Sequence, residues 1–177
     1  MRSNQVADLF RYADEYELRL CQRTISWAQD HELRAFFKTV SRLGDGLFWY
    51  AVILFVIVFI DATAGSWMAL TGLVATLFYK ILKAMLVRER PYITHRSVSC
   101  AAAPLDRYSF PSGHTLHGTC FFIVLTYINP LLGFCVLPFT LSVALSRVVL
   151  GLHYPSDVVA GIVVGISIAC TSIALYP

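Results

Sequence analysis

Residues 147–177 read RVVLGLHYPSDVVAGIVVGISIACTSIALYP, and this stretch decides the fold. Its opening carries Arg147, His153 and Asp157; from 158 to 177 there is no Asp, Glu, Lys or Arg. An uncharged apolar run of about 20 residues is what a helix needs to cross a bilayer. Pro155 suits the first turn of such a helix, where its missing N–H costs nothing. Asp157, Gly161, Gly165 and Ala169 recur every four residues and so share one helical face. A stripe of small residues is the packing surface of a membrane helix. Asp157 heads that stripe, so it is expected to point into the protein and not into lipid.

The same pattern extends upstream. No charged residue occurs from 108 to 146, and Asp61 is the one charge between Asp45 and Lys80. Hydrophobic residues make up 57% of the 177 and charged residues 14%, against the ~25% charged share of a soluble domain. Several long runs in so short a chain argue against buried core helices of a soluble protein. The expected fold is all-α: an integral-membrane helical bundle of about five spans, near 46–62, 67–88, 112–129, 131–150 and 155–176. Phe48, Trp49, Tyr50 and Trp67 read as interfacial aromatics, Asp61–Ser66 as a short turn, Pro138 as a kink and Gly151 as a helix stop.

Residues 1–45 differ from the rest, with seven basic and seven acidic residues. Leu9, Ala13, Tyr16 and Leu20, then Leu33, Phe36, Phe37 and Val40, fall at helical spacing. This predicts an N-terminal segment, 1–45, of two amphipathic helices on the membrane surface or packed on the spans, ahead of an embedded domain at 46–177. A small soluble helical hairpin is the alternative. The first 20 residues are charged throughout, unlike a secretory signal. The net charge of +3 is spread among acids and span ends, so no nucleic-acid partner is expected. The five cysteines have no metal spacing; Cys21 and Cys100 are left open as a pair on one face.

Spans alternate in direction, so the loop 89–111, the turn 151–155 and the N-terminal tract share one membrane face. Three polar clusters gather there. Lys83 and Arg90 are two helical turns apart and share a face, with Lys80, if the helix runs on to Pro91; alone, they read as basic side chains snorkelling at a span end. Pro111-Ser112-Gly113-His114 opens the third span, where free backbone N–H groups and the helix dipole attract anions. Ser112 caps the helix or donates to a phosphate oxygen, and Gly113 permits close approach. His117, one turn on, lacks the third ligand a His114–His117 metal pair would need. The third cluster is Ser146-Arg147, His153 and Asp157. A nucleophilic His needs one ring nitrogen free and the other held by an acceptor, and Asp157 suits that task.

Together, Lys83-x6-Arg90-Pro91, Pro111-Ser112-Gly113-His114 and Ser146-Arg147-x5-His153-x3-Asp157 resemble the three signature motifs of the type 2 phosphatidic acid phosphatase superfamily. That group also includes bacterial acid phosphatases and vanadium haloperoxidases. Ser41-Arg42-Leu43-Gly44-Asp45 resembles the segment that precedes the early spans. The resemblance covers about 41–165. It implies that His153 attacks phosphorus, Asp157 orients His153, and His114 protonates the leaving oxygen. It implies too that Lys83, Arg90, Arg147, Ser112 and the Gly113 N–H hold the phosphoryl oxygens. Phosphoryl transfer asks mainly for positioning and charge stabilisation. Three cations with backbone donors supply both, so neither metal nor cofactor is expected.

The expected substrate is a lipid phosphate or diphosphate in the bilayer: undecaprenyl diphosphate, phosphatidic acid and phosphatidylglycerol phosphate all fit. Tyr92, His95, Arg96, Asp106, Arg107 and Tyr108 are expected to border the head group. A phosphotransferase that passes the phosphohistidine to another hydroxyl, a haloperoxidase, and a non-catalytic scaffold or transporter are the rival readings. The expected location is a bacterial inner membrane. All 14 Lys and Arg fall on the site's side, which points it to the cytoplasm, whereas the family resemblance points to the periplasm. Oligomeric state is left open.

Overall fold

The computed structural model describes residues 2–95, 97–98, 100, 102 and 106–177, with side chains at 14 and from 16 onward. Leu9 and Ala13 of the expected apolar stripe, and Arg96, lie outside the described side chains. The elements are all helices: α1 (Arg2–Asp30), α2 (Arg34–Leu43), α3 (Leu47–Phe59), α4 (Ala62–Met85), α5 (Pro91–Thr94), α6 (Gly113–Ile128), α7 (Pro130–Val149) and α8 (Pro155–Ala174).

α4, α7 and α8 are long and apolar enough to cross a membrane, and the pair α2–α3, bent by 48°, makes a fourth if taken as one span. α6, with 16 residues, is about 24 Å long at 1.5 Å per residue. It sits in the middle, packed against α4, α7 and α8. The exterior is apolar: Leu54, Phe59, Leu73, Leu77, Phe134, Leu141, Val159 and Val163 are all exposed. The buried polar residues include Lys83, Arg88, Arg90, Arg147, His153 and Asp157. This inversion suits lipid as the solvent, where exposed Leu and Val cost nothing and a charge must face the interior. The chain is an integral-membrane protein. One apolar core joins Trp49 and Val56 of α3, Met68 of α4, Cys120 and Phe121 of α6, and Ala169 of α8.

The stripe on α8 packs as its spacing requires. Asp157, Gly161, Gly165 and Ala169 are buried. A Cβ on Gly161 would lie 2.7 Å from the Ser112 carbonyl, and one on Gly165 2.7 Å from the Leu116 carbonyl. α6 and α8 therefore meet backbone to backbone, a contact that side chains would prevent.

Two expectations are corrected. Asp61–Ser66 is not a turn: the Asp61 carboxylate caps α4 by accepting from Ala64 N–H at 2.6 Å, so the helix already starts at Ala62. The helix carrying Lys83 ends at Met85 and does not reach Pro91. Proline disfavours helical backbone in the residue before it, and Arg90 is extended (φ −83°, ψ 153°). Lys83 and Arg90 thus share no helix face, and Lys80 is exposed. Cys21 is fully buried beside Val148 and Tyr154, Cys100 is exposed, and both are free thiols. Pro138 lies within α7, which continues through it.

Candidate active site

The C-terminus of α7 builds the centre of the site. Gly151 takes a positive φ of 71°, which glycine adopts without a Cβ clash. Gly151 N–H then bonds the Val148 carbonyl, and Leu152 N–H the Arg147 carbonyl. This paired closure satisfies the last carbonyls of α7. It also brings His153 back over Arg147, whose carbonyl accepts the His153 N–H at 3.0 Å. Two residues later Pro155 opens α8, and the Tyr154 N–H donates to Asp157 Oδ2 at 2.9 Å.

His153 is 1% exposed. Its Nε2 lies 3.2 Å from Arg90 Nη1. Arginine has donors only, so Nε2 must be the acceptor and the neutral ring carries its proton on Nδ1. That Nδ1 faces Asp157 Oδ2 at 3.5 Å, just beyond hydrogen-bond range, and has no other partner. Burial, together with the nearby Arg90, Arg147 and Lys83 charges, holds the His153 pKa well below its usual value. The ring is therefore neutral at physiological pH, with a lone pair aimed at the cations.

Around Nε2 a small polar cavity of about 20 Å³ is lined by Tyr79, Lys83, Arg90, Asp106, Gly113, His114, Arg147 and His153. Six segments contribute: α4, the stretch after it, the loop before α6, the start of α6, the end of α7 and the α7–α8 turn. Arg90 is fixed by the Leu152 carbonyl at 2.8 Å and Arg147 by the Ser41 hydroxyl. Gly113 and His114 open α6, whose first N–H groups the helix itself cannot pair. Of the residues expected at the site, Lys83, Arg90, Gly113, His114, Arg147 and His153 meet in this cavity, and Asp157 stands directly behind His153. Ser112 is fully buried and outside the lining, with its hydroxyl 2.9 Å from Thr115 Oγ1. His117 is occupied elsewhere: Nδ1 donates to the Gly113 carbonyl at 2.9 Å, and Nε2 faces the Thr76 hydroxyl at 3.0 Å. Among the described residues no group of three or more His, Cys, Asp or Glu is arranged to hold a metal.

Three carboxylates matter that spacing alone did not single out for these tasks. Asp45, between α2 and α3, holds His114 Nε2. Asp106 reaches into the cavity itself, with Oδ1 at 2.7 Å from Lys83 Nζ and 2.6 Å from Arg90 Nη2. Burial opposes the Asp106 charge, but Lys83 and Arg90 outweigh it and hold its pKa below the ordinary value. Of the other loop residues expected near a head group, Arg107 is exposed, and Tyr92 packs on the cluster around Leu152. Glu17, on α1, reaches the N-terminus of α8. The clue in the sequence was the density of acids at 8–17, which amphipathic spacing absorbed too readily.

A second, larger cavity adjoins the first. It measures about 510 Å³ and runs between α3, α4 and α6, within the usual range for ligand pockets. Trp49, Ile53, Leu54, Leu73 and Phe121 line it, and it shares Tyr79, Gly113 and His114 with the polar cavity.

Comparison with known proteins gives a consistent picture. Residues 62–177 match the model of the PAP2 superfamily. Lipid A 1-phosphatase of Rhizobium johnstonii is 30% identical over 105 residues, which cover 57% of this chain and 43% of that protein. Undecaprenyl-diphosphatase BcrC of Bacillus subtilis is 29% identical over 99 residues, 56% of this chain and 51% of that one. The chain thus aligns with about half the length of these relatives or less. Among solved structures, LpxE of Aquifex aeolicus superposes with a TM-score of 0.78 at 25% identity, covering 89% of this chain and 94% of that one. A phosphatidylglycerolphosphate phosphatase from Bacillus subtilis shares the fold, with a TM-score of 0.75 at 20% identity over 92% of this chain and 85% of that one.

Proposed function

Since the chain belongs to the PAP2 superfamily, we propose that it is a membrane phosphatase that hydrolyses a lipid phosphate or diphosphate through a phosphohistidine on His153. One observation carries the reading: a cavity with three cations and the His153 lone pair shares a wall with a 510 Å³ apolar cavity. A phosphate at His153 and a hydrocarbon chain between α3 and α4 can belong to one molecule. The relatives named for lipid A, undecaprenyl diphosphate and phosphatidylglycerol phosphate agree with that class.

In this mechanism Lys83, Arg90, Arg147 and the first N–H groups of α6 hold the phosphoryl oxygens. His153 Nε2 attacks phosphorus while the bond to the leaving oxygen breaks, and His114 gives that oxygen a proton. Asp157 accepts the Nδ1–H and stabilises the charge the ring acquires. A water, deprotonated by His114, then attacks phosphorus and frees phosphate and His153. No step requires a metal. The test is a phosphate-release panel of lipid phosphates and diphosphates on purified protein with a chelator present. Release is expected. Its absence across the panel, or transfer of label to an alcohol with no free phosphate, would overturn hydrolysis.

Asp106 occupies two of the cations that a phosphate would use. Asp106→Asn is therefore expected to lower the inhibition constant of vanadate about tenfold, or ~1.4 kcal/mol, because a neutral amide competes less for Lys83 and Arg90. A raised constant would mean that the carboxylate is needed to hold the two cations in place.

The alternation of spans puts the Lys and Arg residues of the sequence toward the active-site end, which favours the cytoplasmic side of a bacterial inner membrane. Cys100 is exposed at that end. A membrane-impermeant thiol reagent is expected to spare Cys100 in intact cells and to label it once the cells are opened. Labelling in intact cells would reverse the orientation.

A further inference from the structure

Arg88 is 2% exposed and lies outside the phosphate cavity. Its Nη1 donates to Asp157 Oδ1 at 2.6 Å and to the Ser156 hydroxyl at 2.7 Å. Its Nε and Nη2 both donate to Asp14 Oδ1, at 2.9 and 2.6 Å. Nη2 also donates to Glu17 Oε2 at 2.8 Å. The guanidinium lies 4.1 Å from the centre of the Tyr154 ring. Glu17 in turn accepts from the Ser156 N–H at 2.6 Å and from its hydroxyl at 2.7 Å, so a carboxylate of α1 caps α8 beside Asp157. All of this is buried: Asp14 is 4% exposed, Glu17 8% and Asp157 0%.

We propose that Arg88 is a positioning residue for the His153–Asp157 pair, and that α1 is part of the active site because Asp14 and Glu17 hold Arg88 in place. The inference rests on the phosphatase reading above and adds to it a helix outside the residues that match the family model, 62–177. Asp157 has two oxygens. Oδ1 is anchored by Arg88 and Oδ2 by the Tyr154 N–H, which leaves Oδ2 turned toward His153 Nδ1. An arginine can grip a carboxylate with two parallel bonds. Without the α1 acids to occupy Nε and Nη2, the Arg88 fork would be free to close on both Asp157 oxygens. It would then draw Oδ2 away from His153 and cancel the charge meant for the ring. The acids act as a counterweight. Burial raises the Asp14 pKa despite the opposing pull of Arg88. Burial opposes the Arg88 charge, but Asp157, Glu17 and Asp14 outweigh it and raise the Arg88 pKa. Among the described residues, Arg88 is thus a permanent cation shared among three carboxyl groups.

The test uses the full chain in detergent with Asp14→Asn and Glu17→Gln together, both close in shape to the native residues, and Arg88→Gln as a second variant. The double variant is expected to lose kcat by on the order of tenfold, the scale of residues that orient a reacting group. The inhibition constant of vanadate should stay within about twofold, since the phosphate ligands are untouched. In an Asp157→Asn background the same double substitution should cost nothing further, as coupled residues acting through one group are not additive. Nitrogen-15 NMR of His153 should keep the Nδ1–H tautomer that Arg90 imposes, with the Nδ1–H signal shifted as its carboxylate acceptor turns away. An unchanged kcat, an equal loss in both backgrounds or an unshifted Nδ1–H signal would overturn the proposal. If the unsubstituted protein released no phosphate, the phosphatase reading would fail, and the Nδ1–H measurement would still decide the role of Arg88.

Discussion

His153→Gln is expected to abolish phosphate release, with kcat lower by at least about 10⁴-fold, the scale on which loss of a covalent nucleophile acts. The geometry leaves no substitute. Nε2 is the uncharged nitrogen facing Arg90, and the other ring at the cavity, His114, has its Nε2 engaged by Asp45. Glutamine keeps a polar side chain of similar reach, so Arg90 retains a partner and the three cations stay in place. The variant should therefore bind vanadate while failing to turn over. In the native chain, quenching during turnover should trap an acid-labile, alkali-stable phosphoryl group on His153. Phosphate release at native rate by the variant, or label on another residue, would refute the assignment.

Gly161→Val is the second large effect. The new Cβ would stand 2.7 Å from the Ser112 carbonyl and 3.1 Å from Thr115 Cβ. Neither α6 backbone nor a buried Thr can yield cheaply, so α6 must move away from α8. Overpacking of this kind costs roughly 3 kcal/mol, read as a lower melting temperature in detergent. It also acts on chemistry. Gly113 and His114 follow Ser112 directly, while His153 and Asp157 belong to the α8 side. A 1 Å separation of the two groups can lower the rate ~100-fold. Gly165→Val meets the Leu116 carbonyl at the same 2.7 Å but one turn deeper. It should lose as much stability and less activity per folded molecule. Native melting behaviour for Gly161→Val would contradict the close α6–α8 contact.

The sequence made some of this legible and hid the rest for physical reasons. Helical bundling, the α8 stripe and the cavity residues Gly113, His114, Arg147 and His153 were readable because local spacing sets them: a cap, a Schellman turn and a four-residue repeat. Arg90 reaches the cavity, but not by the route that spacing suggests. A shared helix face with Lys83 was expected, but Pro91 extends the backbone before it, and the two cations meet only through the tertiary fold. Asp106 was visible as a loop residue, not as a ligand of both cations. Arg88 escaped altogether. Nothing near it in sequence announces a buried guanidinium, because its partners include residues as distant as 14, 17 and 157. Asp14 and Glu17 fitted an amphipathic surface helix equally well, since periodicity cannot distinguish a face turned to water from one turned to a buried cation.

The wall shared by the polar and apolar cavities bears on how the protein meters its substrate. A lipid substrate of the proposed kind, with its chain between α3 and α4, would arrive by lateral diffusion in the bilayer, not from solution. The relevant concentration is then the mole fraction of substrate among lipids. Added inert detergent or phospholipid should slow turnover at constant bulk substrate, and a short-chain analogue should forfeit the advantage of being delivered in two dimensions.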